Sequence, residues 1–312
     1  MKNAFVFPGQ GSQSLGMLQE FGDHIAVRQT FQEASGALGY DLWQLIQQGP
    51  TERLNETDKT QPALLAASVA LWRLWQQSGG MHPRKRPRVF AGHSLGEYSA
   101  LCCAGVLILG DAIRLVEKRG RFMQEAVPAG TGGMAAIIGL EDAKVVAACE
   151  AAAEGEVVSA VNFNAPGQVV IAGASEALAR AMSACKEAGA RRALPLPVSV
   201  PSHCALMKPA AERLAEELDK VSFNAPEVPV INNVDVAIET DPARIRDALV
   251  RQLYQPVRWV EVVEKLAQDG IEASFECGAG KVLGGLIKRI APELPCHAMD
   301  TRVAFDAALA LE

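Results

Sequence analysis

None of the seven cysteines sits in a C-x-x-C pair or a Cys/His cluster, so the usual zinc scaffolds are excluded. Their odd number and the adjacent pair Cys102 and Cys103 fit reduced thiols in a cytoplasmic protein. No long apolar run is present. The longest, at 63–72 and 100–109, fall well short of the roughly 20 residues that span a bilayer. After Lys2 only a few apolar residues precede Pro8 and Gly9, too few for a signal peptide. Basic residues are not in excess: 36 acidic side chains against 30 Lys and Arg give a net charge of −6, which argues against a general polyanion binder. Histidine is scarce, with five in 312 residues, so any histidine chemistry has few places to sit.

Hydrophobic residues make up 49% of the chain, enough for a large core. Strand-like and helix-like runs alternate, the pattern of a mainly parallel sheet covered on both faces. Strands are expected at 4–7, 88–91 and 271–276. Helices are expected from Pro62, taken as a first helical position, over 206–221 with its apolar residues at helical spacing, and over 282–290. Between 128 and 197 the order changes to strand 134–138, helix 142–153, strand 157–162, strand 168–172, helix 177–188 and strand 191–196. That βαββαβ order is the ferredoxin-like motif. The expected architecture is therefore a large α/β-hydrolase-like domain (1–128 and 197–312) with a small ferredoxin-like domain (129–196) inserted in it. The cleft between the two is the natural substrate site.

Gly92-His93-Ser94-Leu95-Gly96 fits G-x-S-x-G and falls between an expected strand and an expected helix, where a nucleophilic serine is presented on a sharp turn. The amide of Leu95 and the helix N-terminus would face an oxyanion formed there. A serine needs a base. His93 is tied to the turn and suits shaping the pocket, while His24 and His82 lie in polar segments. His203, where the chain re-enters the large domain, and His297, after the last strand-like region, both remain open, and no acidic residue stands out as a triad partner. The loop from Phe7 to Gln13 has accessible backbone amides and could supply a second oxyanion donor at Gln10. Arg119 lies at the margin of a helical apolar face, where a solvated arginine is the simpler reading. Two nucleotide readings of Gly278-Ala279-Gly280-Lys281 fail. Phe275 and Val282 replace the Walker A glycine and hydroxyl residue, and Gly284 is one position late for a dinucleotide loop.

Seven phrases span nearly the whole chain: FVFPGQGSQ at 5–13, AGHSLGEYSA at 91–100, KRG at 118–120, NFNAPGQ at 162–168, PVSVPSH at 197–203, QLYQPVRW at 252–259 and GAGKVL at 278–283. Together they resemble the malonyl-CoA:acyl carrier protein transacylases of bacterial fatty acid synthesis. The resemblance implies Ser94 as nucleophile, His203 as base and Gln10 and Leu95 as oxyanion-hole amides. It also implies that the Gln252 carbonyl orients His203, and that Arg119, with His93 nearby, receives the malonyl group. His297 then has no role. Gln255 and Ala279 depart from the residues often seen at those positions. No cofactor or metal is implied, malonyl-CoA being a substrate, and the chain is expected to act as a monomer. An acidic carrier protein would dock on local basic ground, for which Lys288, Arg289, Arg191 and Arg192 are the candidates. The basic cluster of Arg84, Lys85, Arg86 and Arg88 is read as an exposed loop.

Overall fold

The computed structural model describes residues 2–83, 85–198 and 200–311. Strand β1 (Asn3–Phe7) leads to helices α1 (Ile25–Leu38), α2 (Leu42–Gln48), α3 (Thr51–Leu54) and α4 (Thr57–Gln77). Strand β2 (Pro87–Gly92), α5 (Gly96–Cys103) and α6 (Leu109–Ala126) follow. Then come β3 (Gly132–Ile138), α7 (Asp142–Ala153), β4 (Val158–Ala165), β5 (Gln168–Ala174), α8 (Ser175–Glu187) and β6 (Arg192–Pro195). The last third holds α9 (Lys208–Leu218), β7 (Val230–Ile231), α10 (Pro242–Gln252), α11 (Trp259–Gln268), β8 (Ala273–Glu276), α12 (Val282–Ile290), β9 (Cys296–Ala298) and α13 (Arg302–Ala310).

The fold is mixed α/β with two sheets. The first has the order β7-β2-β1-β8-β9 and is parallel throughout. Its central strand β1 is buried along its whole length, as expected of a strand covered on both faces. Successive side chains of β1 point to opposite faces. Phe5 and Phe7 join the core with α4, and Ala4 and Val6 join the core with α11 and α12. On the first face Phe5 stacks on Phe275 (centroids 5.0 Å) and meets Trp72, Trp75 and Phe90 edge to face.

The second sheet has the order β4-β5-β3-β6, with every pair antiparallel. Helices α7 and α8 cover one face through Val145, Cys149, Ala181 and Cys185. The other face offers Met134, Val161, Val170 and Ala172 to Cys204, just beyond His203. Main-chain hydrogen bonds sew β4 to the segment after α10: Val257 N–H donates to Val161 O (2.8 Å) and Phe163 N–H to Val257 O (3.0 Å).

Several sequence expectations are corrected. Pro62 does not open its helix. Chain turns begin at Thr57, where Lys59 and Thr60 N–H both donate to Glu56 O (2.8 Å each), and Thr60 Oγ1 holds Leu54 O. The proline removes one later backbone bond, and burial of Thr57, Thr60 and Gln61 holds the first turn in place. The helix expected over 206–221 is α9 alone, with a 3-10 turn (Ala205–Met207) before it and Pro209 in its first turn. His297 lies within β9, not after the last strand, and its ring packs against Phe275 at 5.5 Å. Strands β7 and β9 are two and three residues long, too short to carry a readable period.

Truncating Phe5 to Ala would leave a cavity at the meeting point of four aromatic rings. We expect Phe5→Ala to lose about 3–5 kcal/mol, seen as a lower urea midpoint at an unchanged slope.

Candidate active site

The β2–α5 connection is a tight elbow in which Ser94 takes φ 52, a left-handed value costly for a residue with a Cβ. The turn closes because residues 92 and 96 have no side chains. A Cβ on Gly92 would lie 1.9 Å from Gly96 C, and one on Gly96 would lie 2.0 Å from Phe7 O. Asn233, just past β7, braces the strained residue by accepting from Ser94 N–H at 2.8 Å and donating to Gly92 O at 2.7 Å.

Ser94 Oγ lies 2.8 Å from His203 Nε2. The other ring nitrogen, Nδ1, is 2.7 Å from the main-chain carbonyl of Gln252. A carbonyl only accepts, so Nδ1 carries the proton, and Nε2 is left as an acceptor for the serine hydroxyl. His203 is 3% exposed, itself in the left-handed region (φ 65), and held by His203 N–H donating to Leu253 O at 2.9 Å. Burial, then the charge of Arg119, lowers its pKa to about 3, against the opposing pull of the Gln252 carbonyl.

Arg119 is 1% exposed, which corrects the solvated reading. Its Nη1 donates to Gln61 Oε1 (2.8 Å), and its Nη2 donates to Gln252 Oε1 (3.0 Å) and points at Ser94 Oγ (3.5 Å). The guanidinium carbon sits 5.3 Å from the centre of the Tyr98 ring. A cation is thus held beside the serine by neutral acceptors, leaving its charge available to an anion.

Glu97 is buried on the first turn of α5, its Oε2 accepting from Gln252 Nε2 (2.8 Å) and Asn233 N–H (3.0 Å). Burial raises its pKa to about 7, against the pull of those two bonds and of Arg119. His93 is half-buried, its Nε2 2.7 Å from Asn164 Oδ1 and its ring edge-on to Trp259 at 5.5 Å. Burial lowers its pKa.

These groups open on a cavity of about 110 Å³. Gln10, His93, Ser94, Leu95, Arg119 and His203 line it, together with Met134, Asn162, Leu196 and Val198 from the region of the second sheet. A larger hollow of about 590 Å³ between α1 and α2 holds none of these residues. Gln252 lies behind the cavity wall, against His203 and Arg119. His297 is not among the lining residues, and His24 caps α1 by accepting from Ala26 N–H. Sequence reasoning missed Gln61, Glu97, Asn162 and Asn233. Only Glu97 carried a signal, as a carboxylate three residues after the elbow serine in an otherwise apolar helix start.

Lys288, Arg289, Arg191 and Arg192 are all exposed. Arg289 donates to Pro166 O (3.3 Å) and to Gln168 Oε1, in the turn that meets Gly139 through its N–H to Gly167 O (2.8 Å). Gly139 in turn lies against Arg191, so Arg289 and Arg191 share one strip of surface. In the other basic cluster Arg84 lies outside the described residues, Lys85 donates to Leu309 O, and Arg86 and Arg88 are exposed. Among the described residues no His, Cys, Asp and Glu group could hold a metal ion, and no helix is long and apolar enough to cross a membrane.

A serine hydrogen-bonded to a buried histidine, with a buried arginine beside it, lines one small cavity, an arrangement suited to acyl chemistry on the serine. A family model described as acyl transferase domain matches residues 4–283, and the chain belongs to that family of acyltransferases. It is 67% identical over 307 residues to the malonyl CoA-acyl carrier protein transacylase of Salmonella typhimurium, with 98% of each chain covered. Its fold matches an acyl carrier protein S-malonyltransferase from Vibrio cholerae with a TM-score of 0.95 at 63% identity, covering 98% of this chain and 99% of the other. It also matches a malonyl-transacylase solved in complex with its type II PKS acyl carrier protein, with a TM-score of 0.97 at 59% identity and 99% of each chain covered.

In the free protein His203 should stay neutral through mild acid, because charging it would place a cation in a buried site beside Arg119. We expect its ring NMR signals to show no titration between pH 8 and pH 5.

Proposed function

We propose that this chain transfers a malonyl group from malonyl-CoA to the phosphopantetheine thiol of an acyl carrier protein, supplying fatty acid synthesis through a malonyl-serine intermediate. The observation that carries this reading is the cationic Arg119 fork 3.5 Å from a serine hydroxyl that is itself 2.8 Å from a histidine acceptor. The name of a relative 67% identical, and the carrier-protein complex of a structural neighbour, support the substrate and partner.

In the first half-reaction Ser94 Oγ attacks the thioester carbonyl as its proton passes to His203 Nε2. The tetrahedral oxyanion is received by the amides of Gln10 and Leu95, each donor of this kind being worth about 10²- to 10³-fold in rate. CoA thiolate leaves and takes the proton from His203. In the second half the carrier-protein thiol gives its proton to His203 and attacks the serine ester, and Ser94 Oγ leaves and regains its hydrogen. Part of what lowers the basicity of His203 is the charge of Arg119. A malonyl carboxylate paired with Arg119 removes part of that penalty, so the base strengthens when the right acyl group is present. An acetyl group leaves the buried guanidinium unpaired.

The second sheet, with both helices on one face, supports reading 129–196 as a ferredoxin-like domain set into a hydrolase-like one. The exposure of Lys288, Arg289, Arg191 and Arg192, with Arg289 and Arg191 on one strip, supports carrier docking there.

Intact-mass spectrometry with malonyl-CoA tests the covalent step. Wild type should gain one malonyl group that persists until a thiol is added, Ser94→Ala should gain none, and His203→Ala should acylate at least about 10²-fold more slowly. Immediate release of free malonate would instead make the chain a hydrolase. For selectivity, Arg119→Ala should lose about 10²-fold or more in malonyl kcat/KM while acetyl transfer holds or rises, measured with the two donors in competition. An unchanged malonyl preference would sink the assignment of Arg119.

A further inference from the structure

Gln252 reaches the site through three separate groups. Its main-chain carbonyl accepts from His203 Nδ1 (2.7 Å) and its Oε1 accepts from Arg119 Nη2 (3.0 Å). Its Nε2 donates to Ser94 O (3.1 Å) and to Glu97 Oε2 (2.8 Å). A side-chain amide can be turned over with almost no change of shape. Here the reversal would set Nε2 against Arg119, donor to donor, and Oε1 against Glu97, acceptor to acceptor. A guanidinium offers only donors, and Glu97 Oε2, which already accepts Asn233 N–H, stands as an acceptor. The amide is therefore locked between the two, and Glu97 is the side of the lock that does not touch the cavity. The same Oε2 accepts Asn233 N–H at 3.0 Å, and Asn233 braces the elbow through Ser94 N–H and Gly92 O. Glu97 is 2% exposed and is not among the cavity-lining residues.

We propose that Glu97 is a positioning residue for acyl-group selection: through the Gln252 amide it fixes the direction in which the Arg119 fork is held beside Ser94. This rests on the reading of Arg119 as the carboxylate grip. The carbonyl that orients His203 belongs to the main chain at the end of α10, and so does not depend on which way the side-chain amide faces. Loss of Glu97 should then fall on the choice between acyl groups more than on acylation as such.

The test compares kcat/KM for malonyl-CoA and acetyl-CoA, with a holo acyl carrier protein as acceptor. Glu97→Met keeps side-chain volume and removes the acceptor, and should lower the malonyl-to-acetyl ratio by at least about tenfold. Glu97→Gln, which retains a carbonyl oxygen, should restore most of the ratio. Gln252→Met removes the amide while leaving the main-chain carbonyl, should reproduce the fall, and combined with Glu97→Met should add little to it. A merely structural role would depress both donors alike. An unchanged ratio in Gln252→Met, or in a folded Glu97→Met, overturns the proposal even if Glu97→Met cannot be purified folded. If Arg119→Ala shifts the ratio and these variants do not, only the role of Glu97 falls. If Arg119→Ala leaves the ratio unchanged, the grip itself fails and the proposal goes with it.

Discussion

A guanidinium taken almost wholly out of water needs acceptors, and the way the two terminal nitrogens of Arg119 find them, with Nε left unpartnered, organises the site. Gln61 comes from α4, Gln252 from the end of α10, and the Tyr98 ring from α5. Three helices must therefore converge on α6 before the cation can be buried. None of the direct hydrogen-bond partners carries a charge. The nearest formal counterweight, Glu97, is held one residue away across the Gln252 amide. The arrangement stabilises the cation enough to keep it in place and leaves its field unneutralised on the side of the cavity.

The same residues solve the orientation of the base. A histidine usually gains its tautomer from a carboxylate, but a carboxylate next to His203 would also have paired with Arg119 and cancelled it. A main-chain carbonyl fixes the Nδ1 proton without bringing charge. The absence of a triad acid and the presence of a buried arginine thus belong to one electrostatic solution. The strained conformations of Ser94 and His203, at φ 52 and 65, are tolerated because each donates its own amide N–H, to Asn233 Oδ1 and to Leu253 O respectively.

Much of the fold was legible in the sequence because burial leaves a period. The βαββαβ order appears in the second sheet; α7 there and α12 beside the first sheet fall at their expected bounds, and β1, β2 and β8 fall within two residues of expectation. The elbow was legible because its glycines are demanded by close approach. Arg119 was not, since periodicity places a side chain on a helix face without saying what the neighbouring helices bring to it. Gln252 carried no local signal as the residue that orients His203: the atom that does so is a backbone oxygen, which any residue possesses, and only resemblance pointed there. Glu97, Gln61 and Asn233 act as partners of partners, and such roles exist only after α4, α5, α6 and α10 have met.

The stitch between β4 and the segment after α10 sets a further property of the cavity. Val257 exchanges two main-chain bonds with β4, while Leu253, four residues earlier, accepts from His203 and adjoins Gln252. The floor carrying the base and the wall carrying Asn162 are thus joined by backbone rather than by side chains alone. The gauge of the cavity is consequently written into the peptide ladder. Replacing Met134, Leu196 or Val198 changes the lining of a slot whose width the main chain has already set.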